Sequence, residues 1–212
     1  MNSGKQPPEK SDQTDRSLTR RRVLSGLAVG GIASLAGCNS GILEIERAET
    51  TVEREFSTNE IEQILIAQAS DDVVVKEGAG NQIRVRIHKR AFGQTELSDI
   101  KFKSEITGSR LYLETEKPDI FGIGGGGINL ELYVPNSTRV DRIETVDGDV
   151  SLQQTHGNPT VQSGDGDLSA NAIANNLNAE TDDGDIDVNN VNGTVTAHTQ
   201  DGDVSIQNTA TI

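Results

Sequence analysis

The chain has 212 residues, and its 33 acidic residues outnumber its 19 basic ones, which leaves a formal net charge of −14. This excess of acid excludes nucleic acid as the expected partner, because binding a phosphate backbone requires basic side chains that neutralise it. It also argues against direct adsorption to anionic lipid, so association with a membrane would need an anchor.

The first 37 residues indicate an export signal. Arg20 and Arg21 form an arginine pair, and a weakly apolar stretch follows over residues 23–36. That stretch is too short for a membrane-spanning helix, which needs about 20 apolar residues. A charged segment, a short apolar core and a small-residue end are typical of a targeting peptide, and the arginine pair indicates the twin-arginine export route. Residues 1–37 therefore predict a twin-arginine signal peptide, which is left out of the fold prediction.

Cys38 follows this segment and is the only cysteine, so a disulfide within the chain is impossible. The sequence Leu-Ala-Gly-Cys at residues 35–38 resembles the lipobox of lipoproteins, in which the cysteine is lipidated and becomes the first residue of the mature chain. We therefore expect an extracytoplasmic protein that is anchored to the membrane through Cys38, with a tether over residues 38–50. The alternative is an arginine-rich N-terminus that arose by chance, followed by an ordinary buried cysteine.

Alternating apolar residues predict strands in residues 51–128, because this period is typical of half-buried strands. The period is broken around residues 90–110, so we expect an irregular β region that is continuous with the segment after it. The glycine-rich stretch 119–127 predicts a flexible loop. A phosphate-binding loop is not expected there, because no Gly-Lys-Ser/Thr follows the glycines. The alternating runs are Ile64 and Ile66; Val73 and Val75; Ile83, Val85 and Ile87; and Leu111 and Leu113.

A repeat with a constant period dominates residues 129–212. The tripeptide Asp-Gly-Asp begins at Asp147 and recurs without drift at Asp165, Asp183 and Asp201, and aliphatic residues or alanine recur three and five positions after each start. A unit this small cannot bury its own apolar face, but stacked units bury it against one another. We therefore predict an all-β fold: a single-stranded, β-helix-like β-solenoid with one coil per 18-residue repeat and neighbouring strands about 4.8 Å apart.

The tripeptides place eight aspartates in two predicted columns. One interpretation is a solvated acidic ridge, in which the glycines form bends with positive φ and the aspartates bond nearby backbone amides. The other is a calcium site, because calcium takes carboxylate oxygens and glycine-aspartate repeats of other β-rolls bind it between coils. The nonapeptide of those β-rolls is absent here, and we expect no other cofactor. The eight residues are Asp147, Asp149, Asp165, Asp167, Asp183, Asp185, Asp201 and Asp203.

Catalytic residues are not expected. His88, His156 and His198 share no position in the repeat, so the motifs do not assemble a nucleophile, a base and an orienting residue. A polysaccharide-active β-helix enzyme is a minor alternative, but it would need paired carboxylates or a basic cluster, together with aromatic residues that stack on sugars. Arg, Lys, Trp, Tyr and Phe are all absent after Arg142.

These features together resemble a known family. The alternating strands, the Val-Pro-Asn-Ser at residues 134–137 and the Gly-Asp-aliphatic units with Thr or Ser shortly before them resemble the putative-adhesin β-strand-repeat family, a domain of unknown function. The resemblance covers roughly residues 50–212 and implies a non-enzymatic, extracytoplasmic β-solenoid with no established catalytic residues. The acidic composition resembles that of halophilic proteins, and with the signal it suggests a haloarchaeal lipoprotein.

Two classes of function stay open. One is an adhesin-like cell-surface module that binds an envelope protein, a glycan or a neighbouring cell. The other is a structural or envelope-stress accessory without its own ligand. The final segment, residues 204–212, has no charge and no proline, so the solenoid would end without a cap. It would then pair with a second copy, accept a strand from an envelope partner, or fray.

Overall fold

Strands are the only regular elements in the computed structural model, which describes residues 47–118 and 124–210. The predicted arginine pair, Cys38 and residues 119–123 of the predicted loop lie outside these ranges. In the described ranges, no helix has the length and apolar character needed to cross a membrane. The strands are β1 Arg47–Ser57, β2 Gln63–Ala69, β3 Val73–Glu77, β4 Gln82–Gly93, β5 Lys101–Thr107, β6 Arg110–Glu116, β7 Gly124–Val134, β8 Arg139–Thr145, β9 Val150–Gln153, β10 Thr160–Asp165, β11 Leu168–Ile173, β12 Leu177–Asp183, β13 Ile186–Val191, β14 Val195–Asp201 and β15 Val204–Gln207.

Two sheets form the fold. Sheet A has eight strands in the order β1-β4-β7-β3-β9-β11-β13-β15, and sheet B has seven in the order β14-β12-β10-β8-β2-β6-β5. From β8 onward the chain alternates between the sheets, so each coil contributes one strand to each. Aliphatic side chains from both sheets fill the space between them, and Ile64, Val85 and Ile143 are fully buried there.

The repeats stack in parallel, and each strand is offset from the next by one sequence repeat, as predicted. Leu168 pairs with Val150 on one side and with Ile186 on the other, and Val161 pairs with Ile143. The parallel coils confirm the predicted β-solenoid.

The N-terminal half is an irregular β region that continues the solenoid, as expected. β2 and β3 form a coil that pairs in parallel with β8 and β9 on one side and with β6 and β7 on the other, and the register of β2 shifts against both of its neighbours. Strands β1 and β4 then extend sheet A in antiparallel fashion, and β5 does the same for sheet B. Because the coils are not stacked in chain order, the sequence shows no constant period here.

The loop predicted over residues 119–127 is wrong for its last four residues. Gly124 to Gly127 belong to β7, which also contains the boundary predicted between residues 128 and 129. Packing requires glycine at position 126, because a Cβ there would lie 2.6 Å from the end of the Ile100 side chain and 2.8 Å from the backbone carbonyl oxygen of Arg90. At the other end of the region, β1 begins at Arg47, so residues 47–50 of the predicted tether are in a strand.

A corner that the sequence did not reveal lies at the C-terminal end of each sheet A strand of the repeats, either in its last two residues or directly after it. Gln154, Ala172, Asn190 and Asn208 occupy the same position in successive repeats and have φ values of 54°, 59°, 57° and 52°. Asparagine tolerates this left-handed conformation better than other residues with a side chain. In the last two coils, Asn190 and Asn208 also donate to Asn171 and Asn189 at 3.0 and 2.9 Å.

Replacing Ala172 by asparagine should therefore stabilise the solenoid by about 0.5–1 kcal/mol, because asparagine adopts positive φ at lower cost. Denaturant unfolding of the purified protein measures this change. The matched control is Ala174→Asn, which introduces the same side chain two residues later, outside the positive-φ corner. Equal effects of the two substitutions would show that the corner is not strained.

Candidate functional site

The predicted acidic ridge lies along one corner of the solenoid. All eight aspartates of the tripeptides are exposed. In the first column, Asp165 pairs with Asp183, Asp183 pairs with Asp201, and a bridge joins Asp147 to Asp165. Lys117 lies 3.8 Å from Asp147 and partly neutralises the start of this column. The other three aspartates face solvent one strand spacing apart.

The second column is a hydrogen-bonded ladder between coils. The Oδ1 of Asp149 accepts the backbone N–H of Asp167 at 3.0 Å, and Asp167 accepts that of Asp185 at 2.8 Å. Asp185 in turn accepts the N–H of Asp203 at 2.8 Å. Asp72 begins the same column, because its Oδ1 accepts the N–H of Asp149 at 3.2 Å. Each of these carboxylates therefore fixes the coil stacked on it.

The glycine between the aspartates has the expected positive φ in two of the four repeats. Gly148 and Gly166 are not among the residues with positive φ, although Gly184 and Gly202 are, at 156°. What all the repeats share is the close approach of one coil to the next. A Cβ on Gly166 would lie 2.6 Å from the carbonyl carbon of Gly148 and closer still to its oxygen, a separation that real Cβ atoms essentially never show.

Side-chain hydroxyls, buried at Ser163 and Thr181 and half-buried at Thr199, complete this corner. Ser163, two residues before its tripeptide, donates to the Gly148 carbonyl at 3.1 Å, and Thr181 donates to the Gly166 carbonyl at 3.0 Å. Thr199 repeats the bond to Gly184 at 2.9 Å. A buried carbonyl without a partner is costly, so these hydroxyls stabilise the tight glycine contact. The recurrence of Ser or Thr at this position was the sequence signal for their role.

The chemistry of the ridge agrees better with a structural corner than with a metal centre. Within the described ranges, no group of three or more His, Cys, Asp or Glu side chains is arranged to hold a metal ion. One oxygen of each ladder aspartate up to Asp185 already accepts a backbone amide. Calcium binding at these residues stays a prediction.

The three histidines lie on separate elements. His88 is on β4, where its Nδ1 lies 3.1 Å from the Thr51 hydroxyl; His156 is in the turn before β10, and His198 is on β14. The three side chains therefore do not share a site in the structure.

A charged cluster that was not predicted joins the antiparallel strands to the first coils. Lys76 pairs with Glu131 at 2.8 Å, and Arg86 lies between Glu53 at 3.1 Å and Glu131 at 3.5 Å. Tyr133 also donates to Glu131, and the Arg86 guanidinium is 5.4 Å from its ring centre. The hydrogen bond from Lys76 lowers the pKa of Glu131. These basic groups are paired with glutamates, so the cluster holds the N-terminal end together and offers no open anion site.

The two ends of the solenoid differ. Antiparallel strands β1, β4 and β5 cover the N-terminal end, whereas β14 and β15 are the last strands of their sheets in the described part of the chain. Val204 at this second end is 44% exposed, while the equivalent Ile186 one coil earlier is 1% exposed. Within the described residues, no strand covers β14 or β15 on this side, and we call these two strands the open end.

A solved structure of another protein shares this architecture. The crystal structure of a putative cell adhesion protein from Clostridium sporogenes ATCC 15579 has a TM-score of 0.51 to this chain at 9% identity, and the match covers 76% of this chain and 99% of that one. At such low identity the match shows the fold alone. A putative adhesin from Bacteroides fragilis NCTC 9343 is 14% identical over 77% of this chain and 94% of its own, with a TM-score of 0.30.

The fold therefore defines the class as an all-β solenoid. Residues 136–211 match the family model Toastrack DUF4097. This confirms the resemblance to the adhesin-like domain of unknown function. No curated protein matches the chain.

Proposed function

We propose that this chain is a non-catalytic module of the cell surface that binds a partner in the envelope. It is exported by the twin-arginine route and held in the membrane by a lipid on Cys38. The observation that supports binding most directly is the difference between the covered N-terminal end and the open end. An uncovered sheet edge is a template for pairing with another chain, and natural proteins usually block it unless they use it.

The position of the tether favours this arrangement. The chain enters the fold at β1, which is the edge strand of sheet A farthest from β15. Seven strand spacings of about 4.8 Å separate the two edges, so the open end lies about 34 Å from the point where the tether begins. An anchor at Cys38 would thus leave the open end free to meet a protein or glycan of the envelope.

A second candidate is a structural or envelope-stress accessory without a ligand of its own. The ladder supports it, because aspartates that would otherwise attract a ligand hold neighbouring coils together. Crosslinking on intact cells distinguishes the two functions: a module captures a defined protein or glycan, and an accessory captures none reproducibly. The third candidate, a polysaccharide-active enzyme, has no observation in its favour, and turnover on a panel of glycans would revive it.

We expect Cys38→Ser to move the protein from the membrane fraction to the soluble extracytoplasmic fraction, because the substitution removes the thiol that would carry the lipid. Cell fractionation and immunoblotting measure the change. Replacing Arg20 and Arg21 by lysine keeps the charge and should block export. A Cys38→Ser protein that stays in the membrane as fully as wild type would disprove the anchor, and normal surface arrival of the lysine variant would disprove the twin-arginine route.

A further inference from the structure

The open end carries the same backbone donors that each earlier coil uses to hold the next one. Gly184 N–H donates to the Asp201 carbonyl at 3.0 Å, and Ile186 N–H donates to the Asp203 carbonyl at 2.9 Å. One coil later, the equivalent donors are the N–H groups of Gly202 and Val204. Because the coils are in register, these two N–H groups point away from the solenoid, where the described part of the chain provides no further strand.

An acceptor lies beside these donors. Every earlier aspartate of the ladder accepts the N–H of the residue stacked on it, at distances of 2.8–3.2 Å. Asp203 is the last member of the ladder, and it is exposed. An added strand would therefore donate one N–H to the Asp203 carboxylate and accept two from the edge backbone.

The glycine column restricts which strand fits. A Cβ on Gly184 would lie 2.7 Å from the carbonyl carbon of Gly166, and a Cβ on Gly202 would lie 2.7 Å from that of Gly184. The next strand would meet the Gly202 carbonyl in the same way. Only glycine, which has no Cβ, can occupy that position without moving the backbone.

We propose that the open end accepts a parallel, extended strand from an envelope partner, and that it selects a strand with glycine opposite Gly202 and an aliphatic residue opposite Val204. The aliphatic side chain would cover Val204, as Val204 covers Ile186. Neutral or basic residues suit the positions beside the glycine, because Asp201 and Asp203 lie across from them. This inference rests on the proposed surface function and names the chemistry of the partner segment.

A second copy of this chain fits the open end less well. The edge strands of the covered end are β1 and β5, and neither contains a glycine, so neither can stack on Gly202 in parallel. Two open ends facing each other would bring four exposed aspartates together, namely Asp201 and Asp203 of each copy. Charge repulsion opposes that contact, in contrast to a neutral or basic strand.

The test uses the full-length lipidated protein in detergent and two labelled peptides. The first peptide, Thr-Asn-Gly-Asn-Val-Ser-Val, follows the proposed rule, and the second replaces its glycine with alanine. We expect the glycine peptide to bind at least tenfold more tightly in fluorescence anisotropy. Val204→Pro should abolish its binding, because proline lacks the outward N–H and is tolerated at edge strands. Val204→Ala keeps that N–H and serves as the control.

Equal binding of both peptides would overturn the glycine rule, and unchanged binding to Val204→Pro would overturn the use of the edge. If neither peptide binds while crosslinking captures a partner, the inference fails and the proposed function survives. Light scattering adds one arm: a stable wild-type dimer at tens of micromolar that Val204→Pro dissociates would show that a second copy occupies the open end, which contradicts the proposal. Circular dichroism identical to wild type confirms that the variants fold.

Discussion

Gly166→Ala is expected to destabilise the protein by about 3 kcal/mol or more, the upper range for forcing extra atoms into a packed position. The added Cβ would lie 2.6 Å from the Gly148 carbonyl carbon, so it would clash with backbone atoms of the neighbouring coil. Backbone of a central coil is held by ladders on both sides, so it cannot move aside as the end of a flexible side chain would. Denaturant unfolding of the purified protein measures the loss.

Gly80→Ala is the matched control for this substitution. Gly80 has a φ of 82°, and nothing lies within 4 Å of its hypothetical Cβ, so alanine there introduces backbone strain without a clash. We expect a loss of about 1 kcal/mol, typical of alanine in the left-handed region. If Gly166→Ala costs no more than Gly80→Ala, the coils do not approach as closely as the structure indicates.

Stability should increase with salt, because salt screens the repulsion between stacked aspartates. We expect a gain of about 3 kcal/mol in the free energy of unfolding, which raises the melting temperature of a domain of this size by about 10 °C between 0.1 and 3 M KCl. The cause is the first aspartate column. Adjacent charges about 4.8 Å apart repel by about 0.9 kcal/mol even at the dielectric constant of water, and at 1 M salt the Debye length falls to about 3 Å. Circular dichroism follows the transition.

Removing charge from the column provides the control. The double substitution Asp165→Asn and Asp183→Asn should raise the melting temperature at low salt and flatten its salt dependence. The corresponding change at Asp167 should not do so, because its carboxylate accepts the N–H of Asp185. A wild-type melting temperature that is independent of salt would contradict the column as a source of repulsion and remove the support for a halophilic origin.

The repeat half was predictable because neighbours in space are also neighbours in sequence. Leu168 lies one repeat away from each of its partners, Val150 and Ile186, so a single offset reveals the whole stack. The N-terminal half offers no such offset. Ile64 pairs with Leu111 on one side and with Val140 on the other, and these separations are set by connections that local patterns do not encode.

The candidate site was predictable in position but not in detail. The exposed aspartates followed from the alternation that buries Val150 and its equivalents. The ladder did not, because it depends on a side-chain rotation that brings Oδ1 of Asp149 to the next coil. The positive-φ corner also gave no signal, since Gln154 and Ala172 share no chemistry that marks it.

The stacking order of the first coils has a consequence for synthesis. The coil of β2 and β3 lies between β6–β7 and β8–β9, so it has a neighbouring coil on both sides only after β9 has emerged from the ribosome. These contacts join distant parts of the chain, and such high contact order slows folding because long loops must close first. The later coils, in contrast, each add to the one just made and can fold by propagation. The first coil of the nascent chain therefore stays unpaired until more than half of the protein has been synthesised. The later repeats then fold quickly against the coils already formed.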